Sequence, residues 1–598
     1  MSDLEAGELA LAAEFPAATR QQWQRLVARV LGREAGPGDA PERELATVTA
    51  DGIEIAPLYV AGDGQRDTGF PGQAPFTRGR SAAGHRAGWD VRPRHEHPDP
   101  AVAREQVMAD LEGGASSLWL GLGDGQIPLP ALPEVLSQVY LDLAAVVLDA
   151  GERFTEAAEV FLLAATRRGV PAQALTGCLG ADPLAVLART GAEASLEAAA
   201  DLARRCAAEL PGMRAIVVDA TAFHDAGATD AQELGCALAA GTEYLRAMRA
   251  AGLAGPAAAG QLEFRYAATA DQFATIAKLR AGRRAWARVV EQCGIPASAG
   301  GQRQHAVTSW PMLTRRDPWN NILRATLACF AAGAGGADAI SVTPFDAAIG
   351  QPDQLARRVA RNIHALLAEE SHVASVIDPA GGSWYVEDLT EQLAIRGWAC
   401  FQEIERAGGL HAALASGSIA SQLAASRQAR RDALARRREA ITGVSEFPLA
   451  GEVLLTRPPG PPPGRPAGLP RIRWAQWHEE LRDRADAHAR ATGAPPTVTL
   501  ALLDASRASA ARAGQVTALL APAGIAAVTA GPLASGPARA AVVVVCGSGP
   551  DRPEQARAAA EQARSSGAAT VVMADEVLSG DLDLLAFSGQ LLAALGVE

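Results

Sequence analysis

RQHAVTSWPMLTRRDPWNNILR (303–324) is the stretch on which the reading of this chain turns, and RRVARNIHALLAEE (357–370) and VIDPAGGSWYVE (376–387) follow it. Within an Ala- and Gly-rich sequence, these segments set His, Thr, Ser, Trp, Asp and paired Asn residues on short apolar runs. Convergent polar groups at strand ends and loops are how a rigid scaffold lines a ligand cavity. The run QRQHAVTS (302–309) belongs to a series of strand-like runs: SLWLGL (117–122), AVVLDA (145–150), ALTGCLG (174–180), AIVVDAT (215–221), LEFRYA (262–267), ADAISVTP (337–344) and SVIDPAGG (375–382). Helix-forming segments such as ASLEAAADLARRCAAEL and DQFATIAKLRAGRRAWARVVEQC separate most of them. Eight strand–helix units in about 270 residues predict a (β/α)8 TIM barrel, with His305 near the strand end where barrel active sites sit.

Outward from the barrel, the chain divides into four parts. Residues 1–100 read as two N-terminal helices followed by an extended arm rich in Gly, Pro and Arg, suited to subunit contact. Residues 101–395 are the barrel. Residues 396–496 hold a helical segment ending in RQARRDALARRR (427–438), whose basic run reads as a solvated face or subunit contact, and then the proline-rich linker RPPGPPPGRPAGLPR (457–471). In 497–598, TVTLALLD, IAAVTAG, AAVVVVCGS and ATVVMAD alternate with Ala-rich helices. Such near-continuous apolar strands predict a smaller doubly wound α/β domain of the flavodoxin type.

Composition bounds the function. Over 598 residues, 48% are apolar and 20% charged, which places the chain among globular proteins. The net charge of −12 argues against nucleic acid as a partner. No apolar run long enough to span a membrane and no signal peptide is evident, and seven scattered cysteines without CxxC suit a reducing cytoplasm. There is no GxxxxGK[ST] and no GxSxG. In GLGDGQIPLP (121–130), Pro128 and Pro130 prevent the immediate helix that a dinucleotide turn requires. HEH (95–97) reads as a solvated loop, since prolines follow at once and no third ligand cluster accompanies it.

The stretch 303–324 resembles the adenosylcobalamin-dependent acyl-CoA mutases, above all the methylmalonyl-CoA mutases, whose catalytic chains read RxHxQTSGWSLTxQDPYNN here. The likeness extends to PFTRG (75–79), AGATDAQELGCALAAGTEYLR (226–246), IAKLRAGRRAWA (276–287), RRVARN (357–362) and DPAGGSWYVEDLT (378–390). It implies a barrel that binds acyl-CoA and a flavodoxin-like domain that carries cobalamin.

The departures fall where that chemistry is done. Against the family's GYHxxEAGA, this chain has ATAFHDAGA (220–228), so its Tyr-His pair becomes Thr221 and Ala222, with His224 two positions along on what is read as a strand. The arm tyrosine becomes Arg94, while Arg92 is kept. The glutamine and glycine of HxQTSG become Val307 and Trp310, the latter expected to help fill the barrel, while His305, Thr308 and Ser309 persist. GTxQND becomes GCLGADP, with Gly180 where the glutamine stood. DxHxxG, whose histidine ligates cobalt, becomes DASRAS (504–509), with Ser506 in the histidine's place.

The resemblance therefore implies no catalytic, cofactor or metal residues on this chain, and a vestigial cavity formed by Arg92, His224, His305, Thr308 and Ser309. Some bacterial mutases pair a catalytic large (alpha) subunit with a similar inactive small (beta) subunit, and TGCLGADPL and DATAFHDAGA resemble small-subunit wording. On that reading adenosylcobalamin sits on the large subunit, which interconverts (R)-methylmalonyl-CoA and succinyl-CoA. This chain joins it through the barrel's outer helices and the arm, with room for an accessory GTPase chaperone on the complex. An active variant mutase using His224 or His305 as acid, and a stand-alone CoA-ester-binding scaffold, are the alternatives.

Overall fold

The computed structural model describes residues 15–597 apart from 17, 35–38, 62, 64–67, 85–87, 450, 461–466, 531–539 and 548–552. Most of the first expected N-terminal helix and part of the proline-rich linker therefore lie outside the described residues. The second expected helix is present as Arg20–Val30, closed by a Thr19/Gln22 capping box.

The larger sheet is parallel and nine-stranded. Its strands are β1 (Asp90–Val91), β2 (Arg94–His95), β3 (Ser117–Gly121), β4 (Ala145–Asp149), β5 (Gly177–Ala181), β6 (Met213–Asp219), β7 (Leu262–Ala268), β8 (Gln304–Thr308) and β9 (Ala339–Ser341). In space the order is β1-β9-β8-β7-β6-β5-β4-β3-β2. The two edge strands are consecutive in the chain. Asp90 and Arg92 donate backbone N–H groups to Asp338 and Ile340 on one side, while Val91 and Pro93 accept from Ser116 and Trp119 on the other. One extended segment thus bridges both ends of the sheet and gives it a barrel-like form.

The first stave of this ring lies in the arm, not where the sequence pattern put the eighth strand. SVIDPAGG (375–382) is a short 3-10 turn and loop, with Asp378 at a φ of 52°. The Asp378 carboxylate is taken by Arg78 and Arg280, so this loop anchors the arm and a barrel helix. The other seven predicted runs each contain a strand.

Helices pack outside the sheet. α1 (Asp230–Ala250) begins at a Thr229/Gln232 capping box, and α2 (Gln272–Gln292) is capped by Asp271. α1 approaches the sheet closely at Gly241, where a Cβ would stand 2.8 Å from both Phe264 and Trp286. α3 (Trp384–Arg406) packs along α1 and α2. The arm crosses the amino ends of β8 and β9: Arg283 donates to the carbonyls of Phe76 and Thr77, and Arg80 pairs with Asp338 at 2.5 Å.

The second sheet contains β10 (Thr497–Leu502), β11 (Ala526–Ala530), β12 (Val542–Cys546) and β13 (Thr570–Met573), all parallel, in the order β11-β10-β12-β13. β12 is buried along its whole length, as a strand covered on both faces must be. α4 (Ser418–Ala435) and α5 (Gln476–Thr492) precede this sheet, and α6 (Arg507–Leu520) follows β10. Ala485 of α5 belongs to this sheet's core.

Candidate functional site

The barrel axis is occupied by the protein's own side chains. Trp119 from β3 projects into it beside Val147, Cys178, Val217 and Val307. Two guanidinium groups stack on the indole ring, Arg265 at 4.0 Å and Arg94 at 4.2 Å from the centroid, and His305 meets it edge-on at 5.3 Å. Cations over an indole face are attracted by its quadrupole, the more so when desolvated. Three strands therefore converge on one aromatic ring.

Charged residues around that ring pair with one another, although Arg265 Nη2 is buried without a hydrogen-bond partner. Arg265 Nη1 donates to Asp219 at 2.6 Å, and Arg189 reaches the same carboxylate at 2.9 Å. Burial acts to raise the Asp219 carboxyl, but the two arginines outweigh it and hold it well below the usual carboxylate range. Arg92, fully buried, binds Glu263 at 2.5 Å, Asp90 at 2.7 Å and Ser117 at 3.0 Å. Glu263 likewise stays ionised, because Arg92 and Arg303 overcome its burial. Arg94 spans Glu96 and Asp149, each at 2.7 Å.

His305 is locked into this network. Its Nδ1 accepts from Arg265 Nε at 3.1 Å, so Nε2 carries the proton and faces Ser341 Oγ at 2.7 Å. Burial, then the charges of Arg92 and Arg265, push its pKa well below 6.5. It is a neutral ring with both nitrogens engaged and has no proton to offer a ligand. Thr308 Oγ1 accepts from the Thr343 amide at 2.8 Å.

Where the sequence pattern continued a strand, Thr221–His224 forms a helical turn beginning two residues after β6. Thr221 bonds the Asp219 carboxylate through both its amide and its hydroxyl, and Ala222 is buried. The turn swings His224 to Ser309, whose Oγ lies 2.7 Å from Nε2. Nδ1 lies 3.4 Å from Glu233, a buried carboxylate already bound by Lys278 and the Ala267 amide. Gly180 sits at a φ of 74° in the irregular β5, and a Cβ there would stand 1.9 Å from the Leu148 carbonyl oxygen.

The carboxyl ends of the strands are roofed by 467–475. The Leu469, Ile472 and Trp474 amides donate to the carbonyls of Ala188, Asp225 and Pro311, crossing the segments that follow three different strands. Trp474 meets His224 edge-on, and Arg430 of α4 lies 4.3 Å over the Trp474 ring. Trp310 is half-buried beneath Arg471, which stacks on it at 3.8 Å. It therefore supports this roof, while Trp119 fills the axis. Two arginines of the basic run reach protein carbonyls: Arg427 of α4 donates to that of Ala226, and Arg437, just beyond α4, reaches that of Ser579.

The remaining sequence candidates resolve differently. HEH is no solvated loop, for His95 is fully buried between Arg357, at 3.0 Å, and Asp110, at 3.4 Å. After β3, the chain turns into a 3-10 turn and a four-residue helix, not a helix that opens at the glycines. Among the described residues, no group of three or more His, Cys, Asp or Glu side chains is placed to hold a metal. None of the described helices is long and apolar enough to cross a membrane. Ser506 is the N-cap of α6: its hydroxyl accepts from the Ser509 amide at 3.1 Å, and its own amide donates to Asp504 at 3.0 Å.

Comparison with known proteins supplies the family. The family profile described as methylmalonyl-CoA mutase matches residues 129–459. A methylmalonyl-CoA mutase small subunit from Streptomyces virginiae is 52% identical, covering 97% of this chain and 96% of the relative. The chain belongs to the methylmalonyl-CoA mutase family. A small subunit from Propionibacterium freudenreichii subsp. shermanii is 41% identical over 86% of this chain and 81% of its own. A methylmalonyl-CoA mutase from Cereibacter sphaeroides is 30% identical, covering 72% of this chain and 64% of the relative.

Arg94 is stacked on Trp119 and ion-paired with Glu96 and Asp149, and Ala222 is buried. The residues do not fit a cobalamin lower ligand, because Ser506 presents a capping hydroxyl in place of an imidazole. Sequence reasoning passed over Trp119, Asp219, Glu263 and Arg265. Their signal was present: LEFRYA carries Glu263 and Arg265 at period two in an otherwise apolar strand, which puts both charges on one face.

Proposed function

We propose that this chain is the non-catalytic small subunit of a heterodimeric, cytoplasmic methylmalonyl-CoA mutase. It supports a large subunit that binds adenosylcobalamin and interconverts (R)-methylmalonyl-CoA and succinyl-CoA. The fold we assign is the (β/α)8 TIM barrel of 101–395, with its first stave drawn from the arm, followed by a flavodoxin-like domain over 497–598. The order β11-β10-β12-β13 supports the second assignment.

The observation that carries the reading is the stacked Arg94–Trp119–Arg265 column on the barrel axis. An acyl-CoA mutase barrel has to admit substrate, and this axis is taken by an indole on which two guanidinium groups stack. The retained polar residues support the same reading, since Arg92, His305, Thr308 and Ser309 all have partners inside the protein. The small-subunit names of the relatives support a large-subunit partner.

Co-expression with the large chain tests the proposal. A stable 1:1 complex is expected, with mutase activity unchanged by His224→Ala or His305→Ala on this chain. Absence of a complex, or loss of turnover on either substitution while the complex remains intact, would overturn it.

A further inference from the structure

We infer that an ion-pair clamp centred on Arg316 holds the second domain in a fixed position on the barrel, making this chain a rigid strut. The loop after β8 carries Arg315 and Arg316 to α5. The Arg315 amide donates to Glu479 at 2.6 Å and its guanidinium to Asp483 at 2.6 Å. Arg316 bonds Asp483 at 2.5 Å and Asp486 at 2.7 Å, and the Asp317 amide donates to Glu452 at 2.5 Å. Arg473 closes the cluster by binding Glu479 at 2.6 Å and the Leu313 carbonyl at 3.3 Å.

Three features set this apart from an ordinary surface pairing, which contributes little. Glu479 is fully buried and Arg316 is 6% exposed, so solvent screens them weakly. Four carboxylates (Glu452, Glu479, Asp483, Asp486) meet Arg315, Arg316 and Arg473 in one connected network, in which Arg316 is the ion-pair partner of the largely buried Glu452 side chain. α5 is also part of the second domain's own core through Ala485, so a force on this helix is a force on that domain. The mutase wording LTxQDPYNN has glutamine where this chain has Arg316, and glutamine carries no charge for an acidic cluster.

Small-angle scattering of the full-length chain tests the clamp, comparing wild type with Arg316→Gln, Arg316→Glu and Arg316→Glu/Asp483→Arg. We expect a single compact profile for wild type, an increased radius of gyration for Arg316→Glu with unchanged far-ultraviolet circular dichroism, and recovery in the double variant. Arg316→Gln should fall between. A folded Arg316→Glu protein with the wild-type profile would overturn the inference. If Arg316→Glu fails to fold, Arg316→Gln decides: expansion supports the clamp, and an unchanged profile overturns it.

Discussion

On the function proposed above, the barrel axis and the carboxyl end of the second sheet are where a catalytic relative would hold its ligands, and in this chain the side chains at the two places are held by different physics. On the axis, large charged and aromatic groups remain but are turned on one another: Arg94 and Arg265 on Trp119, Arg92 on Glu263, and Arg189 on Asp219. At the second sheet, a small hydroxyl stands at the critical turn and is consumed in capping a helix. The first arrangement is costly to disturb, because every member buried there depends on its neighbours. The second is a local, exchangeable convenience.

That contrast predicts unequal responses. Trp119→Ala should destabilise the barrel most, by roughly 3–5 kcal/mol, as the usual cost of removing a buried tryptophan adds to the lost stacking of two guanidinium groups. Urea denaturation followed by circular dichroism measures this, and a loss under about 1 kcal/mol would mean the column is not a core.

Acidification should weaken both regions. Trp89 Nε1 donates to His364 Nδ1 at 2.9 Å in the barrel wall, and burial lowers His364 to about 4. Burial lowers His478 of α5 to about 4 as well. Each histidine takes up its proton more readily when unfolded, near 6.5, so stability is complete above that pH and falls as pH drops toward 4. The slope is at most about 1.4 kcal/mol per pH unit for each. Urea midpoints at pH 7.5 and 4.5 should differ accordingly, and His364→Gln should flatten the slope whatever it does to the midpoint at pH 7.5.

Ser506→Ala should have the smallest effect. Loss of the N-cap is expected to cost about 1 kcal/mol, confined to α6 and read by faster amide exchange there with no change in β3 to β8. Spread of that change into the barrel would remove the distinction between the two regions.

Much of this was legible in the sequence because long apolar strand runs and helical segments alternate regularly. The lapses have local causes. The first stave was hidden because Pro93 lacks an N–H and splits it into two-residue pieces, Asp90–Val91 and Arg94–His95, too short to show a period. SVIDPAGG passed for a strand on its Val-Ile pair, but Asp378 turns the chain at positive φ to meet two arginines. His224 was placed by strand geometry, although the backbone had already entered a helical turn. The site was less readable than the fold. Partnering of Trp119, Arg265 and Asp219 joins three strands far apart in sequence, and no local window contains it.

The central claim is that this chain lacks the chemistry its fold is built to hold. Titrating adenosylcobalamin into the purified chain, followed by its visible spectrum, tests that most directly. The account predicts no saturable spectral change. Stoichiometric binding with a shift to the base-off form would contradict it.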